Sequence, residues 1–278
     1  MTGGFSPPSE GFSLRSVKPF FSHEHPIAMA HRGSRILWPE NTMEAFQGAV
    51  DLGFRYLETD LHATADGVLV CFHDDNLDRT TDATGPVIHR TLAELQRVDA
   101  GFRHDPLRGF PFRAKGVRVP TLEECVMTFP HAMFTLDLKQ AGIEELLVAA
   151  IDRLGIRDRV IIGSFKDRRI ARFRKLAGQG VATSSGPWET RALWASARIG
   201  RPLNIRADAL QVPPSYGNTT VVDDRFVRAA HAVGKQVHVW TINEPEEMRR
   251  LLDLGVDALI TDRPDILPGV MRDHLADR

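Results

Sequence analysis

Cysteine is nearly absent from the 278 residues: Cys71 and Cys125 are the whole complement. Two thiols make no disulfide framework and no metal-type pair, so a reducing, cytoplasmic compartment is expected. Long apolar runs are missing as well. No stretch approaches the roughly 20 apolar residues of a membrane helix. The start, MTGGFSPPSEGFSLRSVKPFF, lacks the charged head and continuous apolar run of a secretory signal. No integral membrane association is expected, and Phe20-Phe21 should pack on the body of the protein rather than touch lipid. An excess of either charge is missing too. With 35 basic and 36 acidic residues there is no domain-wide field to attract nucleic acid. Only six of those basic residues are lysine, so a lysine at a strand end stands out.

What is present is an ordinary globular composition, 42% hydrophobic and 26% charged, ample for a sizeable core. From residue 26 onward short β-rich runs alternate with longer helical patterns, the signal of βαβ units and a parallel sheet. The expected strands are 27–33, 55–61, 133–139, 160–165, 181–185, 208–213, 237–243 and 257–262. Helical stretches such as TMEAFQGAVDLG, IEELLVAAIDRLG and EPEEMRRLLDLG lie between them, several stopping at Gly. Eight such units, in a fold that typically needs about 250 residues, predict a (β/α)₈ TIM barrel. Nearly every strand run ends in polar residues: HRG, ETD, DLK, GSF, TSS, WTIN, ITD. A barrel gathers those ends on one face, whereas an open doubly wound sheet would load one switch point.

One segment breaks the rhythm. Residues 75–120 are rich in Gly, Pro and charge and read as a small insertion after the second strand, with one short helix (TLAELQRV). It leaves the rim just past candidate catalytic residues, where it can cap the site or shape specificity. The expected organisation is an N-terminal arm, 1–25, followed by the barrel domain, 26–278.

The chemistry concentrates in Glu58-Thr-Asp60-Leu-His62-Ala-Thr-Ala-Asp66-Gly67-Val-Leu-Val-Cys71-Phe-His73-Asp74-Asp75. Asp-Gly between β-prone residues signals a two-residue hairpin turn. Cross-strand partners would then sum to 133, setting Asp60 opposite His73 and Glu58 opposite Asp75. Glu58 and Asp60, two apart on a strand, share a face. Two adjacent carboxylates are costly to bury unless neutralised, either by arginines on neighbouring strands or by a divalent cation. Asp137, at the end of the third strand, adds a third oxygen across the rim. Such an all-carboxylate set suits Mg²⁺ or Ca²⁺.

His31 and Arg32 close the first strand. A strand-end histidine transfers protons near neutral pH, and the arginine fork fits a phosphate. With His73 from the hairpin, His31 forms a candidate general acid and base pair for P–O cleavage. Lys139 shares a face with Asp137 and can hold a phosphate oxygen. In Pro39-Glu40-Asn41-Thr42, Asn41 or Thr42 reads as a helix cap, with Glu40 placed to orient Arg32. His62 and His238 read as hydrogen-bonded barrel-layer residues. Trp240 reads equally as core or as substrate wall.

At these residues the chain resembles the glycerophosphodiester phosphodiesterase family. AHRG (30–33), PENT (39–42), LETDLHATADGVLVCFHD (57–74), LDLK (136–139), VHVWTIN (237–243) and GVDALITDRPD (255–265) occur in family order. The resemblance implies His31 and His73 as the acid–base pair. It implies Glu58, Asp60 and Asp137 as ligands of the divalent metal, with Arg32 and Lys139 on phosphate and Trp240 lining the substrate pocket. Many members carry Glu where this chain has Asp137, a shorter arm with the same charge. The implied reaction is hydrolysis of a small-molecule glycerophosphodiester, such as glycerophosphocholine or glycerophosphoethanolamine, to glycerol 3-phosphate and an alcohol. Direct attack by water and a cyclic phosphate intermediate both remain open. Two alternatives stand beside it. One is lysophospholipase D-like cleavage of a lipid phosphodiester, which would need an apolar groove. The other is a non-catalytic phosphate-binding barrel, which would be expected to lack at least one of His31, His73, Glu58 and Asp60.

Overall fold

Strand-forming runs too short to stand alone are each tied to a helix that covers one of their faces, and the chain repeats this unit until the sheet meets itself. The computed structural model describes residues 18–22 and 26–276. Strand β1 (Ile27–His31) leads to α1 (Met43–Asp51), then to β2 (Tyr56–Ala63), which folds back on β3 (Leu69–Cys71). Helices α2 (Leu92–Leu95) and α3 (Leu122–Thr128) precede β4 (Met133–Leu138), α4 (Glu144–Leu154), β5 (Val160–Gly163) and α5 (Asp167–Ala177). Next come β6 (Ala182–Thr183), α6 (Pro187–Arg198) and β7 (Ala209–Val212), and then the small hairpin β8 (Ser215–Tyr216) and β9 (Thr219–Thr220). Helix α7 (Asp224–Ala232), β10 (Gln236–Val239), α8 (Pro245–Asp253), β11 (Ala258–Thr261) and α9 (Leu267–Ala276) complete the chain.

Hydrogen bonding orders the barrel strands β6-β5-β4-β2-β1-β11-β10-β7. A parallel bridge from Ser184 to Ala209 draws the two ends together. The protein is a (β/α)₈ TIM barrel, nearly closed, with all eight expected strands in place.

Strand alternation sorts the side chains. Along β2, Leu57 and Leu61 point outward into the main apolar layer under the helices. Tyr56 points inward and joins Ile27, Met29, Met133 and Ile161 in an interior cluster. These residues sit at the strands' amino-terminal halves, which leaves the carboxyl ends for polar groups. Helix ends follow local chemistry. Thr42 caps α1 by accepting from the Ala45 amide at 3.2 Å, and α4 stops where Gly155 takes a left-handed conformation (φ 65°).

Of the expected N-terminal arm, residues 18–22 alone are described; the rest of it lies outside the described residues. Phe20 and Phe21 are buried in the interior cluster, beneath the barrel's amino-terminal mouth. Tyr56 Oη donates to the Phe20 carbonyl at 2.8 Å, and Lys18 pairs with Asp208 at 2.8 Å. Phe20→Ala therefore empties part of the floor. It should cost about 3–5 kcal/mol, read as a lower denaturant midpoint with an unchanged m-value.

The β2–β3 hairpin corrects one expectation. Partners sum to 132, not 133: Leu61 faces Cys71 and Ala63 faces Leu69. The loop holds three residues, Ala65-Asp66-Gly67, closed by the Thr64 amide on the Val68 carbonyl (2.9 Å), with Gly67 left-handed (φ 78°). Asp60 therefore lies opposite Phe72, whose amide donates to the Asp60 carbonyl at 3.0 Å, and His73 falls beyond the ladder. Past that point, Leu77, Val87, Leu95 and Val119 of residues 75–120 form a small apolar cluster with Val70 of β3. The expected helix there is shorter than its eight-residue pattern: α2 spans Leu92–Leu95 and starts at a Thr91/Glu94 capping box.

Candidate active site

Ladder register assembles the centre. His31 is the β1 partner of Glu58 on β2, and one step higher on the same face Asp60 is the partner of Asp137 on β4. All eight residues singled out from the sequence line one cavity of ≈ 940 Å³ at the carboxyl ends of the strands. They are His31, Arg32, Glu58, Asp60, His73, Asp137, Lys139 and Trp240. Trp240 stands edge-on to Phe165, ring centroids 5.4 Å apart, and the two form one wall.

Three buried carboxylates share this space. Burial, reinforced by the charge of Asp60, pushes Glu58 up to about 7. Burial also holds Asp137 above its ordinary value, partly offset by Lys139. Asp60 would rise for the same reason, but Lys139 and Arg32 hold it low. Lys139 Nζ lies 3.0 Å from Asp60 and 2.7 Å from Asp137. Arg32 Nε lies 3.1 Å from Asp60, and the Arg32 amide donates to Glu58 at 3.1 Å. Arginine neutralisation, one of the two readings open from the sequence, is thus realised in part.

Two cations against three carboxylates still leave oxygen capacity. Asp137 Oδ1 is buried and accepts no hydrogen bond, while Asp60 Oδ1 meets the Lys139 ammonium at 3.0 Å. Among the described residues Glu58 has no ion pair with a lysine or arginine side chain; it accepts from the Arg32 amide and lies 3.9 Å from His31 Nε2. A buried carboxylate oxygen without a hydrogen bond, within an all-oxygen set, fits a hard divalent cation. Among the described residues no three His, Cys, Asp or Glu groups already stand as a cage; the Lys139 ammonium occupies the gap between Asp60 and Asp137.

Each histidine is held by a carboxylate. His31 Nδ1 is 2.7 Å from Asp262, and His73 Nδ1 is 2.5 Å from Asp74. Both acids are driven down to about 2: burial works against this, and donors to each carboxylate, the histidines among them, outweigh it. Ionised carboxylates only accept, so each Nδ1 carries the proton and each Nε2 is left for chemistry. Asp262 is fully buried and also accepts from Arg35 Nε (2.8 Å) and Asn243 Nδ2 (3.1 Å).

The loop after β1 is built to present Arg32. Arg32 and Asn41 are left-handed (φ 53° and 56°), a conformation unusual outside glycine. Gly33 (φ 78°) packs so tightly on α1 that a Cβ would fall 2.6 Å from Ala45. Thr42, not Asn41, is the helix cap. Asn41 instead donates to Asp60 at 2.9 Å and accepts from Thr59 at 2.7 Å. Glu40 accepts from Arg32 at 2.9 Å, as its placement suggested.

Asp262, Asn243 and Asn41 are contacts that the sequence reading missed. Asp262 had a usable signal: it lies two beyond Ile260, which faces inward, and so falls on the same side. His238 is a buried layer residue paired with Gln236 at 2.9 Å, as expected. His62 meets the expectation in part: its Nε2 lies 3.4 Å from the His73 carbonyl, while its Nδ1 is buried with no hydrogen-bond partner among the described residues. The two thiols, far apart in sequence, come within 3.7 Å as free cysteines.

A family model described as the glycerophosphoryl diester phosphodiesterase family matches residues 31–266. The chain is 38% identical over 262 residues to the probable glycerophosphodiester phosphodiesterase 2 of Mycobacterium tuberculosis, covering 91% of this chain and 93% of that protein. It is similar to the crystal structure of a glycerophosphodiester phosphodiesterase from Agrobacterium tumefaciens (TM-score 0.72, 25% identity, 87% of this chain and 98% of that one). It is also similar to an Oleispira antarctica phosphodiesterase in complex with the product sn-glycerol-3-phosphate (TM-score 0.71, 26% identity, 89% and 97%).

Proposed function

The chain belongs to the glycerophosphoryl diester phosphodiesterase family, and from that premise we propose that it hydrolyses small glycerophosphodiesters to glycerol 3-phosphate and an alcohol, in a metal-dependent reaction. It is a phosphodiesterase by family. Glycerophosphocholine and glycerophosphoethanolamine are the substrates proposed, and the barrel domain is assigned to 26–278. The observation that carries the reading is one cavity lined by two carboxylate-held histidines, a buried arginine, a half-buried lysine and three buried carboxylates.

Arg32 and Lys139 hold the phosphate oxygens, each already braced by carboxylates that fix its direction. His31 and His73 divide the proton transfers. One Nε2 takes the proton of the attacking hydroxyl as its oxygen joins phosphorus. The other gives a proton to the alcohol oxygen as the P–O bond breaks. Asp262 and Asp74 each hold an Nδ1–H, so the ring acting as base presents a bare Nε2 and the ring acting as acid, an imidazolium, presents an Nε2–H. Glu58, Asp60 and Asp137 would hold Mg²⁺ or Ca²⁺, which when bound neutralises the phosphate and polarises it for attack. Trp240 and Phe165 wall the substrate side.

No helix among the described residues is long and apolar enough to cross a membrane. A cytoplasmic enzyme acting on soluble diesters is the reading proposed, consistent with two buried free thiols. The test is a substrate panel. Glycerophosphocholine and glycerophosphoethanolamine should turn over without detergent, and faster than lysophosphatidylcholine. Activity confined to the lysophospholipid, and requiring detergent, would replace this reading by a lipid phosphodiesterase.

A further inference from the structure

The 75–120 insertion sends one side chain back to the centre. Arg79 ends a short 3₁₀ turn, Leu77–Arg79, whose Leu77 is fully buried in the insertion's apolar cluster. Its guanidinium meets two carboxylates at once. Nε donates to Asp74 Oδ2 at 2.6 Å and Nη2 to Asp74 Oδ1 at 3.1 Å. Nη1 donates to Glu40 Oε2 at 2.9 Å and Nη2 to Glu40 Oε1 at 2.7 Å. Asp74 is the acid that holds His73, and Glu40 is the acid that holds Arg32.

We propose that Arg79 is a positioning residue of the active site, a single fork that fixes both the His73 ring, through Asp74, and the Arg32 guanidinium, through Glu40. The inference rests on the phosphodiesterase reading above, which gives His73 and Arg32 their roles.

The physical case is geometric. Asp74 and Glu40 would repel each other across a partly buried space, and Arg79 turns that repulsion into two charge-assisted pairs. Arginine suits the task because its planar fork satisfies two carboxylates in fixed directions, which a lysine ammonium does not. Arg32 needs the brace because its backbone is left-handed (φ 53°), a conformation held by surrounding contacts. Arg79 reaches Glu40, 39 residues away in sequence, and so sets the loop after β1 against the insertion. Its own side chain is 46% exposed, so its removal opens no core.

The test compares Arg79→Ala, Arg79→Lys and, as a control within the insertion, Arg113→Ala, whose guanidinium stacks 3.7 Å over Phe110 away from the site. Arg79→Ala should keep its thermal midpoint and lower kcat on glycerophosphocholine on the order of 10–100-fold, with a higher KM because Arg32 is loosened. Added guanidinium ion should restore part of that activity, and should restore none to His73→Ala. Arg79→Lys should remain well below wild type, and Arg113→Ala should match it. Should alanine lower the thermal midpoint, Arg79→Lys decides: impaired turnover in a stable protein supports the proposal. Wild-type kcat and KM in Arg79→Ala, or in a stable Arg79→Lys, would overturn it, and an inactive His73→Ala beside them would leave the functional reading intact. Full activity in His73→Ala would remove that reading and this proposal with it.

Discussion

His31→Ala should lower kcat for glycerophosphodiester hydrolysis on the order of 10²–10⁴-fold and leave the barrel folded, and His73→Ala should do the same. The expectation of an intact fold follows from the partners each substitution leaves behind. Without His31, Asp262 still accepts from Arg35 and Asn243, so no buried charge is stranded. Without His73, Asp74 remains clamped by Arg79. Both imidazoles border the cavity rather than the apolar interior, so their loss creates little closed void. Turnover and thermal midpoint measured side by side check the claim. Near-normal kcat in either variant would remove that residue from the acid–base pair.

Glu58→Gln should weaken Mg²⁺ or Ca²⁺ binding by about 100-fold or more, since it removes a charge from the proposed ligand set itself; even supporting residues around metal ligands typically cost 10–100-fold. Calorimetric titration of the metal reads this without relying on turnover, and unchanged affinity would refute the ligand assignment. The raised pKa of Glu58, about 7, adds a pH signature. A proton and a cation compete for the same carboxylate, so wild-type affinity should fall as pH drops through about 7. The metal-free protein should show the opposite trend in stability. Glu58 binds its proton more tightly folded than unfolded, so its contribution is present at low pH and lost as pH rises toward 7. The raised pKa of His31 acts in the same direction, whereas Glu58→Gln should flatten the Glu58 part of the profile.

The parts of the site that follow from strand alternation were legible. Glu58 and Asp60 share a face because they are two apart, and Asp137 and Lys139 reach the same rim because every barrel strand ends there. His73 was identified for a partly mistaken reason. The hairpin loop has three residues, so Phe72 takes the place opposite Asp60. His73 enters the cavity because the chain leaves the ladder there. A single-residue shift of register is invisible to pattern when both strands are buried on both faces, as β2 and β3 are. The Arg79 fork, the Asn243 clamp and the approach of Cys71 to Cys125 depend on non-local packing, and no spacing rule reaches them. Asp262 is a different case. Its parity was readable, and only the partner that gives it meaning, His31 at the far end of the chain, was not.

The most direct measurement is release of glycerol 3-phosphate from glycerophosphocholine by the purified protein, assayed in EDTA, in Mg²⁺ and in Ca²⁺. Release is expected with one or both metals, and loss of release in EDTA. Full activity in EDTA would contradict the metal-dependent mechanism, and no release under any of the three conditions would contradict the proposed substrate.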